Sequence, residues 1–288
     1  MSAIDKLSYE LKALNIEQKK GLKRNSTDKF YTKKSAVEKC ISLVKEFIHI
    51  EDIDLIIEPS AGNGAFIPCI KNISNNHKFY DLYPEHESII KQDFLLLDHQ
   101  KLITPYKKIH IIGNPPFGRQ SSTAIKFIKK CCSFADSISF ILPKSFKKSS
   151  MQKYIPLNYH LIHQCDLEKN SFLLNGNDCD VNCVFQIWQR LSINRPIIET
   201  PIPCGFSFVK KTSNPDISFR RVGANAGLIS REIKSKNIQS HYFMKIDNID
   251  LIKKLQLIKF TTDNTVGPKS ISKHEIIIEF NKLMEQTN

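Results

Sequence analysis

Four consecutive residues, Asn114-Pro115-Pro116-Phe117, combine an amide, two rings that fix the backbone and an aromatic face. They follow the apolar run Ile109-His110-Ile111-Ile112-Gly113 and precede Gly118, which puts them at the C-terminal tip of an expected strand. Proline locks its own φ and keeps the residue before it extended, so the turn is rigid. An amide oxygen and a main-chain carbonyl held together can accept both N–H bonds of an amine, and the Phe117 ring can stack on the group that carries it. The chemistry expected is the grip of a planar, amine-bearing ring.

Upstream, Glu58-Pro59-Ser60-Ala61-Gly62-Asn63-Gly64-Ala65-Phe66 follows the short apolar strand Leu55-Ile56-Ile57 and opens a helix from Ala65 to Ile73. Glycine lets a backbone turn tightly and approach a ligand closely. Strand, Gly loop and helix in that order form the nucleotide-binding crevice of a doubly wound sheet. The spacing is not that of a dinucleotide fingerprint, and the absence of Gly-Lys-Ser/Thr excludes a P-loop. Asp81 ends the next strand, Phe79-Tyr80, where it can accept both hydroxyls of a ribose. Asp93-Phe94 can read an adenine, the carboxylate taking its amino group and the ring packing on its face. Taken singly, each acid also reads as a solvated turn residue and Phe94 as core. Their order is what points to a nucleotide bound beside the amine grip.

The elements that position these residues are legible as periodicity. Residues 33–49 read as an amphipathic helix, with Val37, Ile41, Val44 and Ile48 three and four apart. Phe94-Leu95-Leu96-Leu97 is a further apolar segment, Thr123 to Phe134 a helix, and Ile138 to Leu142 a strand stopped by Pro143. His160 to Leu167 and Asn182 to Gln189 read as two late strands, with Asn175-Gly176-Asn177-Asp178 as a turn signal between them. Strands alternating with helices, then a late pair, predict an α/β fold with a mostly parallel sheet and an antiparallel edge. Pro196, Pro201, Pro203 and Gly205 mark a linker, and 205–288 is a basic, weakly periodic stretch to which no fold is assigned.

Composition narrows the partner. The 288 residues carry a formal net charge of +13 and are 41% hydrophobic, with a pI near 9.3. An excess this large fits a polyanion such as nucleic acid; a solvated basic surface is the plain alternative. Basic residues gather at Arg119 to Lys130 and Lys144 to Lys153, just after two strand ends, where a phosphate backbone would pass. Lys19 to Lys34 and Arg220-Arg221 are further candidates. No signal peptide is expected at Met1 to Lys6, and no apolar run nears the ~20 residues of a membrane span. Eight cysteines without a Cys-x-x-Cys pair, and His160, His163 and Cys165 alternating along one strand, provide no convergent zinc set. No metal is expected, and the thiols suit an intracellular, reducing compartment, cytoplasm or nucleus.

Taken together, these residues resemble the S-adenosylmethionine-dependent adenine-N6 methyltransferases. Glu58 to Phe66 is similar to their motif I, Asp81 to motif II, Asp93-Phe94 to motif III and Asn114 to Phe117 to motif IV. Phe30-Tyr31-Thr32 resembles motif X, with Lys33 where proline is usual. The order X, I, IV, with any target-recognition segment last, is that of the γ-class DNA enzymes. Gly113 to Gly118 and Ile141-Leu142-Pro143-Lys144-Ser145-Phe146 fit that group, and Arg220 to Gly227 weakly resembles segments of some bacterial and viral members. The resemblance spans residues 28–190. It implies a Rossmann-like, class I methyltransferase fold with a seven-stranded sheet. The implied division is a basic extension at 1–29, a catalytic domain at 30–190 and a small substrate-recognition region at 191–288.

The resemblance also implies S-adenosylmethionine as cofactor. Glu58, Gly62 and Gly64 would line its methionine part beneath Tyr31 and Thr32. Asp81 would hold the ribose, Asp93 and Phe94 the adenine, and Asn114 would border the cofactor. Asn114, Pro115 and Phe117 would carry catalysis on a flipped adenine of DNA, with Pro116, Gly118, Arg119 and Lys144 as further substrate contacts. Phe172, from a loop between the late strands, would brace the far face of the base. RNA is the alternative substrate. A protein glutamine methyltransferase and a non-catalytic nucleic-acid-binding subunit are further readings, and the need for a partner subunit is left open.

Overall fold

The computed structural model describes residues 30–197, 199, 201–260 and 268–285. The expected 1–29 extension, with Lys19, Lys20, Lys23 and Arg24, lies outside the described residues. From the N-terminal side the strands are β1 (Tyr31–Thr32), β2 (Leu55–Glu58), β3 (His77–Asp81), β4 (Ile89–Lys91), β5 (Ile109–Gly113), β6 (Ser137–Pro143), β7 (Tyr159–Asp166), β8 (Phe172–Leu174), β9 (Asn177–Cys179) and β10 (Cys183–Arg190). The main helices here are α1 (Lys34–Phe47), α2 (Ile67–Lys71) and α3 (Ser122–Cys132).

Seven strands form one sheet in the order β4-β3-β2-β5-β6-β10-β7. β2 through β6 pair in parallel, and β10 is antiparallel to both β6 and β7. The expected antiparallel end is present, with the reversed strand one place in from the edge. β2, β5 and β6 are buried along their whole length. Helices cover both faces of a parallel sheet, so its strands read as apolar runs rather than alternations. Alternation still sorts the side chains. Leu55, Ile57, Ile109, Ile111 and Phe140 pack toward α3, while Ile56, Ile112 and Ile141 pack toward α1 and α2. α1 buries Val37, Cys40, Ile41 and Val44 on one stripe, each apolar side chain contributing about 1.5–3 kcal/mol.

At the end of the sheet opposite Asn114, His110 bonds Ser137 Oγ through Nδ1 at 2.8 Å and Asp54 Oδ2 through Nε2 at 3.2 Å. All three side chains are buried. Burial lowers the His110 pKa against the opposing Asp54 hydrogen bond. The arrangement has the residue types of a hydrolytic triad, but with no access to solvent it serves to tie β2, β5 and β6 together.

The structure departs from the expected elements in three places. Phe94–Leu96 is a 3-10 turn, and the strand nearby is the preceding β4. Asn175-Gly176 turns a separate hairpin, β8–β9, which pairs with β1 to make a small three-stranded sheet. The stretch past residue 205 folds. β11 (Phe206–Val209), β12 (Ile217–Arg220), β13 (Ile229–Ser230) and β14 (His241–Ile246) form an antiparallel sheet in the order β11-β14-β12-β13. Helix α4 (Lys273–Glu285) packs on it around a core that includes Phe206, Phe219, Met244 and Phe280. Among the described residues, no helix is long and apolar enough to cross a membrane.

Candidate active site

The C-terminal ends of β2, β3 and β5 lie side by side, and the polar residues gather there. Glu58 and Gly113 end adjacent parallel strands. A Cβ added to Gly113 would sit 3.1 Å from Glu58 Cγ, so a side chain there would press on the acid. Glu58 is 2% exposed, and its Oε2 has no hydrogen-bond partner. Burial, and then the nearby Asp81 charge, raise its pKa well above the usual carboxylate range. A buried carboxyl with an unsatisfied oxygen is costly until a donor or cation pairs with it.

Gly62 and Gly64 sit in left-handed backbone at φ 52° and 84°. A Cβ on Gly64 would fall 2.7 Å from Ile67 Cδ1 and 3.2 Å from His86, so a larger residue would be strained by its φ and would push these side chains aside. Gly62 N–H donates to Asp81 Oδ2 at 2.8 Å, and Tyr83 N–H donates to Asp81 Oδ1 at 2.8 Å. The acid thus ties the loop to the turn after β3, and each oxygen can accept a further bond. Asp93 is linked to the same edge, because the preceding Gln92 N–H donates to the Asp81 carbonyl at 2.9 Å. Its own Oδ1 accepts from Leu95 N–H and caps the 3-10 turn.

β1 lies over both loops. The Tyr31 ring is 3.8 Å from the position a Gly62 Cβ would take. Its hydroxyl donates to the Glu85 carboxylate at 2.8–2.9 Å, and Glu85 N–H donates to the Gly62 carbonyl at 3.1 Å. Next along, Thr32 Oγ1 accepts from Asn114 Nδ2 at 3.2 Å. Ser60 Oγ donates to the Asn114 carbonyl at 3.3 Å, a second link between the Gly loop and the β5 tip. Asn114 Oδ1 is buried without a partner. Phe117 is half-buried, and its carbonyl accepts from Thr123 and Ala124 N–H at 3.1 and 3.2 Å, which fastens α3 to the motif. Pro115 is buried, while Pro116, Gly118 and Arg119 are exposed.

Tyr31, Thr32, Glu58, Gly62, Gly64, Asp81 and Asn114 are therefore brought together, with Asp93 alongside. Three expected contacts are corrected by the structure. Phe94 is a core ring, 2% exposed and stacked 5.9 Å from Phe127, so it presents no face to a ligand. Phe172 is also core; it is paired with Thr32 on β8 and is 1% exposed, so it cannot brace a base. Lys144 is buried beside Asp166, 3.2 Å from its carboxylate, and Lys147 approaches the same acid at 2.8 Å. Burial opposes ionisation of Asp166, yet hydrogen bonds from Lys147 and Lys144 hold its carboxyl below the usual range. Lys144 and Lys147 of the second basic stretch thus form intramolecular pairs where phosphate contact was expected. The first keeps Arg119, Lys126 and Lys129 exposed. Sequence reasoning missed Glu85 and His86, which close over the Gly loop; their turn is aperiodic, and the Tyr31–Glu85 bond joins distant segments.

Residues 49–190 match the model of the EDM2 methyltransferase-like domain. No curated protein matches the chain. Similar solved structures include a Pyrococcus horikoshii protein assigned as an RNA methyltransferase, with 15% identity over 62% of this chain and 96% of that one, at a TM-score of 0.42. A Listeria monocytogenes protein assigned as a class I S-adenosylmethionine-dependent methyltransferase shares 14% identity over 58% of this chain and 63% of that one, at 0.43. The 23S rRNA methyltransferase ErmE shares 12% over 59% and 72%, at 0.41. The methyltransferase-like segment holds Glu58, the Gly loop, Asp81 and Asn114-Pro115-Pro116-Phe117, and it leaves β1 and the 206–285 unit outside it.

Proposed function

We propose that the chain is an S-adenosylmethionine-dependent methyltransferase that transfers a methyl group to N6 of adenine in DNA. The observation that carries this reading is Asn114 Oδ1, a buried acceptor without a protein partner at the tip of β5, one strand from Glu58 and the Gly loop. The match of residues 49–190 to a methyltransferase-like domain supports the reaction class. The order of β1, Gly loop and Asn114 along the chain supports a γ-class arrangement. Residues 30–190 are then the catalytic domain and 191–288 the substrate-recognition region.

The residues suit the cofactor. Gly62 and Gly64 give the loop a left-handed backbone beneath Tyr31, and Glu58 Oε2 is a buried oxygen in want of a cationic partner. S-adenosylmethionine, when bound, supplies an electrophilic methyl group on a sulfonium. Glu58 would hold its ammonium, Asp81 its ribose hydroxyls and Asp93 the amino group of its adenine, with Tyr31 and Thr32 above.

The exocyclic amine of the target adenine is a weak nucleophile, because its lone pair is delocalised into the ring. Asn114 Oδ1 and the Pro115 carbonyl accept its two hydrogens and favour a more tetrahedral nitrogen. They also stabilise the positive charge that develops on that nitrogen as it gains the methyl group, a preorganised electrostatic effect. Orientation for in-line attack supplies much of the remaining acceleration. The proton leaves afterwards, because the methylated ammonium is strongly acidic. A base inside a duplex must be flipped out at a cost of a few kcal/mol. Stacking on Phe117, beside Pro116 and Gly118, offsets about 1–3 kcal/mol of that. Arg119, with Lys126 and Lys129, all exposed, would meet the flanking phosphates.

Mass spectrometry of nucleosides after incubation with separate DNA and RNA pools tests the reading. The expected product is N6-methyladenine in DNA. Asn114→Ala lowers its formation by about 10²- to 10³-fold, with the circular dichroism spectrum unchanged. Methyl found only on protein, or full activity in Asn114→Ala, overturns the proposal. Methyl confined to RNA moves the substrate from DNA to RNA.

A further inference from the structure

We infer that Thr32 is a positioning residue for Asn114, anchoring its side-chain amide at the β5 tip so that Oδ1 can meet the target amine. The inference rests on the adenine-amine reading of the site. An asparagine side chain can present either a donor or an acceptor, and only the acceptor can take a hydrogen from an amine. In the structure Asn114 Nδ2 donates to Thr32 Oγ1 at 3.2 Å. That leaves Oδ1 as the buried atom without a partner. The Thr32 hydroxyl can hold the amide in either sense, since it both accepts and donates; the target amine selects the one with Oδ1 toward it, because the reversed amide would turn one N–H donor toward another.

Thr32 is itself firmly held. It is 8% exposed. On β1 it is in register with Phe172 of β8, and Lys33 N–H donates to the Ser171 carbonyl at 3.0 Å. The hydroxyl is therefore a fixed point, and the core ring of Phe172, buried at 1%, is part of what fixes it. This gives the β8–β9 hairpin a role: it backs the strand that orients the catalytic amide. Tyr31, the neighbouring residue on the same strand, lies over the Gly loop, so one short strand would set both halves of the site.

Thr32→Val keeps the shape and removes the hydroxyl; Thr32→Ser keeps the hydroxyl. Single-turnover methyl transfer and calorimetric titration of S-adenosylmethionine on the full chain separate the possible roles. Oligonucleotides carrying an unpaired adenine, one of DNA and one of RNA, serve as substrates. The expected result for Thr32→Val is a rate lower by about tenfold, the effect of one lost hydrogen bond in the transition state. Cofactor affinity falls by less than the rate, because Thr32→Val keeps the shape of the residue that lies over the cofactor, and Thr32→Ser restores the rate. A wild-type rate in Thr32→Val overturns the positioning role alone. So does a loss of cofactor affinity as large as the loss of rate, which would make the Thr32 hydroxyl a cofactor ligand and not a support for Asn114, or a Thr32→Ser rate no better than Thr32→Val. Absence of transfer by the wild-type chain on either substrate overturns the functional reading with it. Should Thr32→Val not fold, nitrogen-15 NMR of the wild-type Asn114 side chain decides the point: a proton protected from exchange supports the inference, and rapid exchange of both overturns it.

Discussion

Glu58 is held in a protonation state that its surroundings impose. Its folded pKa lies above that of the unfolded chain, which is about 4.3. The folded state therefore binds more protons than the unfolded state as pH rises from there, and stability falls until the folded pKa is passed. Replacement by Gln removes the titration. Between pH 5 and 8 the melting temperature of the wild type is expected to fall relative to that of Glu58→Gln. Cofactor affinity should move the other way, because an ammonium partner favours the carboxylate. Wild-type affinity for S-adenosylmethionine is expected to rise with pH, and Glu58→Gln to bind about 10- to 100-fold more weakly at pH 8, with a flat profile. Paired calorimetric titrations and melting curves check both signs; parallel profiles in the two proteins would refute the role of Glu58. At this scale the sequence was informative where a residue's chemistry is rare and its place is a strand tip, as for Glu58, Asp81 and Asn114. It misled where a common residue admits two fates. Phe94 and Phe172 are apolar rings, and burial claimed them. Lys144 is a cation paired with Asp166 of its own chain.

Elements carry the site through turns that tolerate few residues. Gly118 and Gly176 both have positive φ, at 69° and 80°, yet their surroundings differ. A Cβ on Gly118 would lie 2.1 Å from Thr123 Oγ1 and 3.0 Å from Thr123 N, at the point where α3 is fastened to Phe117. Nothing lies within 4 Å of the corresponding position at Gly176, on the tip of the β8–β9 hairpin. Alanine at 176 therefore meets only the left-handed backbone cost, about 1–2 kcal/mol. Alanine at 118 adds a clash with backbone, so a loss of about 3 kcal/mol or more is expected, together with impaired transfer as Phe117 shifts. Thermal melting and transfer rates of the two variants should separate; equal losses would show that the Gly118 turn is not held by α3. The parallel strands were legible because burial on both faces writes them as unbroken apolar runs, as in Leu55-Ile56-Ile57. β4 was not, since only Ile89 of its three residues is buried. β1 and β8 are short strands that pair across a long stretch of chain, a partnership with no local signature.

The C-terminal unit shows what whole-chain context adds. Its strands draw their core from pairings across long loops, Phe206 with Ile246 and Ile217 with Met244, and such partners have no local signature. Ser218 is buried because its hydroxyl donates to the carbonyls of Ser230 and Glu232, which breaks the alternation expected of β12. One local signal was present and overlooked. Ser272 and Glu275 form a capping box, with Ser272 N–H donating to Glu275 Oε2 at 2.8 Å and Glu275 N–H to Ser272 Oγ at 3.3 Å. The same carboxylate also joins the two units. Lys148, just beyond the end of β6, reaches Glu275 Oε2 at 3.4 Å and donates to the Ser270 carbonyl at 2.8 Å. Both side chains are mostly buried, at 10% and 14% exposed, so the pair is shielded more than a surface bridge. Lys148→Met keeps the aliphatic stem and removes the charge, so the Ser270 carbonyl loses that donor and Glu275, still bonded by Ser272, loses this ion pair. The expected cost is on the order of 1–3 kcal/mol, felt at the junction before either core. Limited proteolysis should then cut within residues 191–205 sooner than in the wild type, while the methyl-transfer rate on a free oligonucleotide changes less than binding to a long duplex. An unchanged cleavage pattern would mean that Lys148 does not hold the C-terminal unit against the sheet.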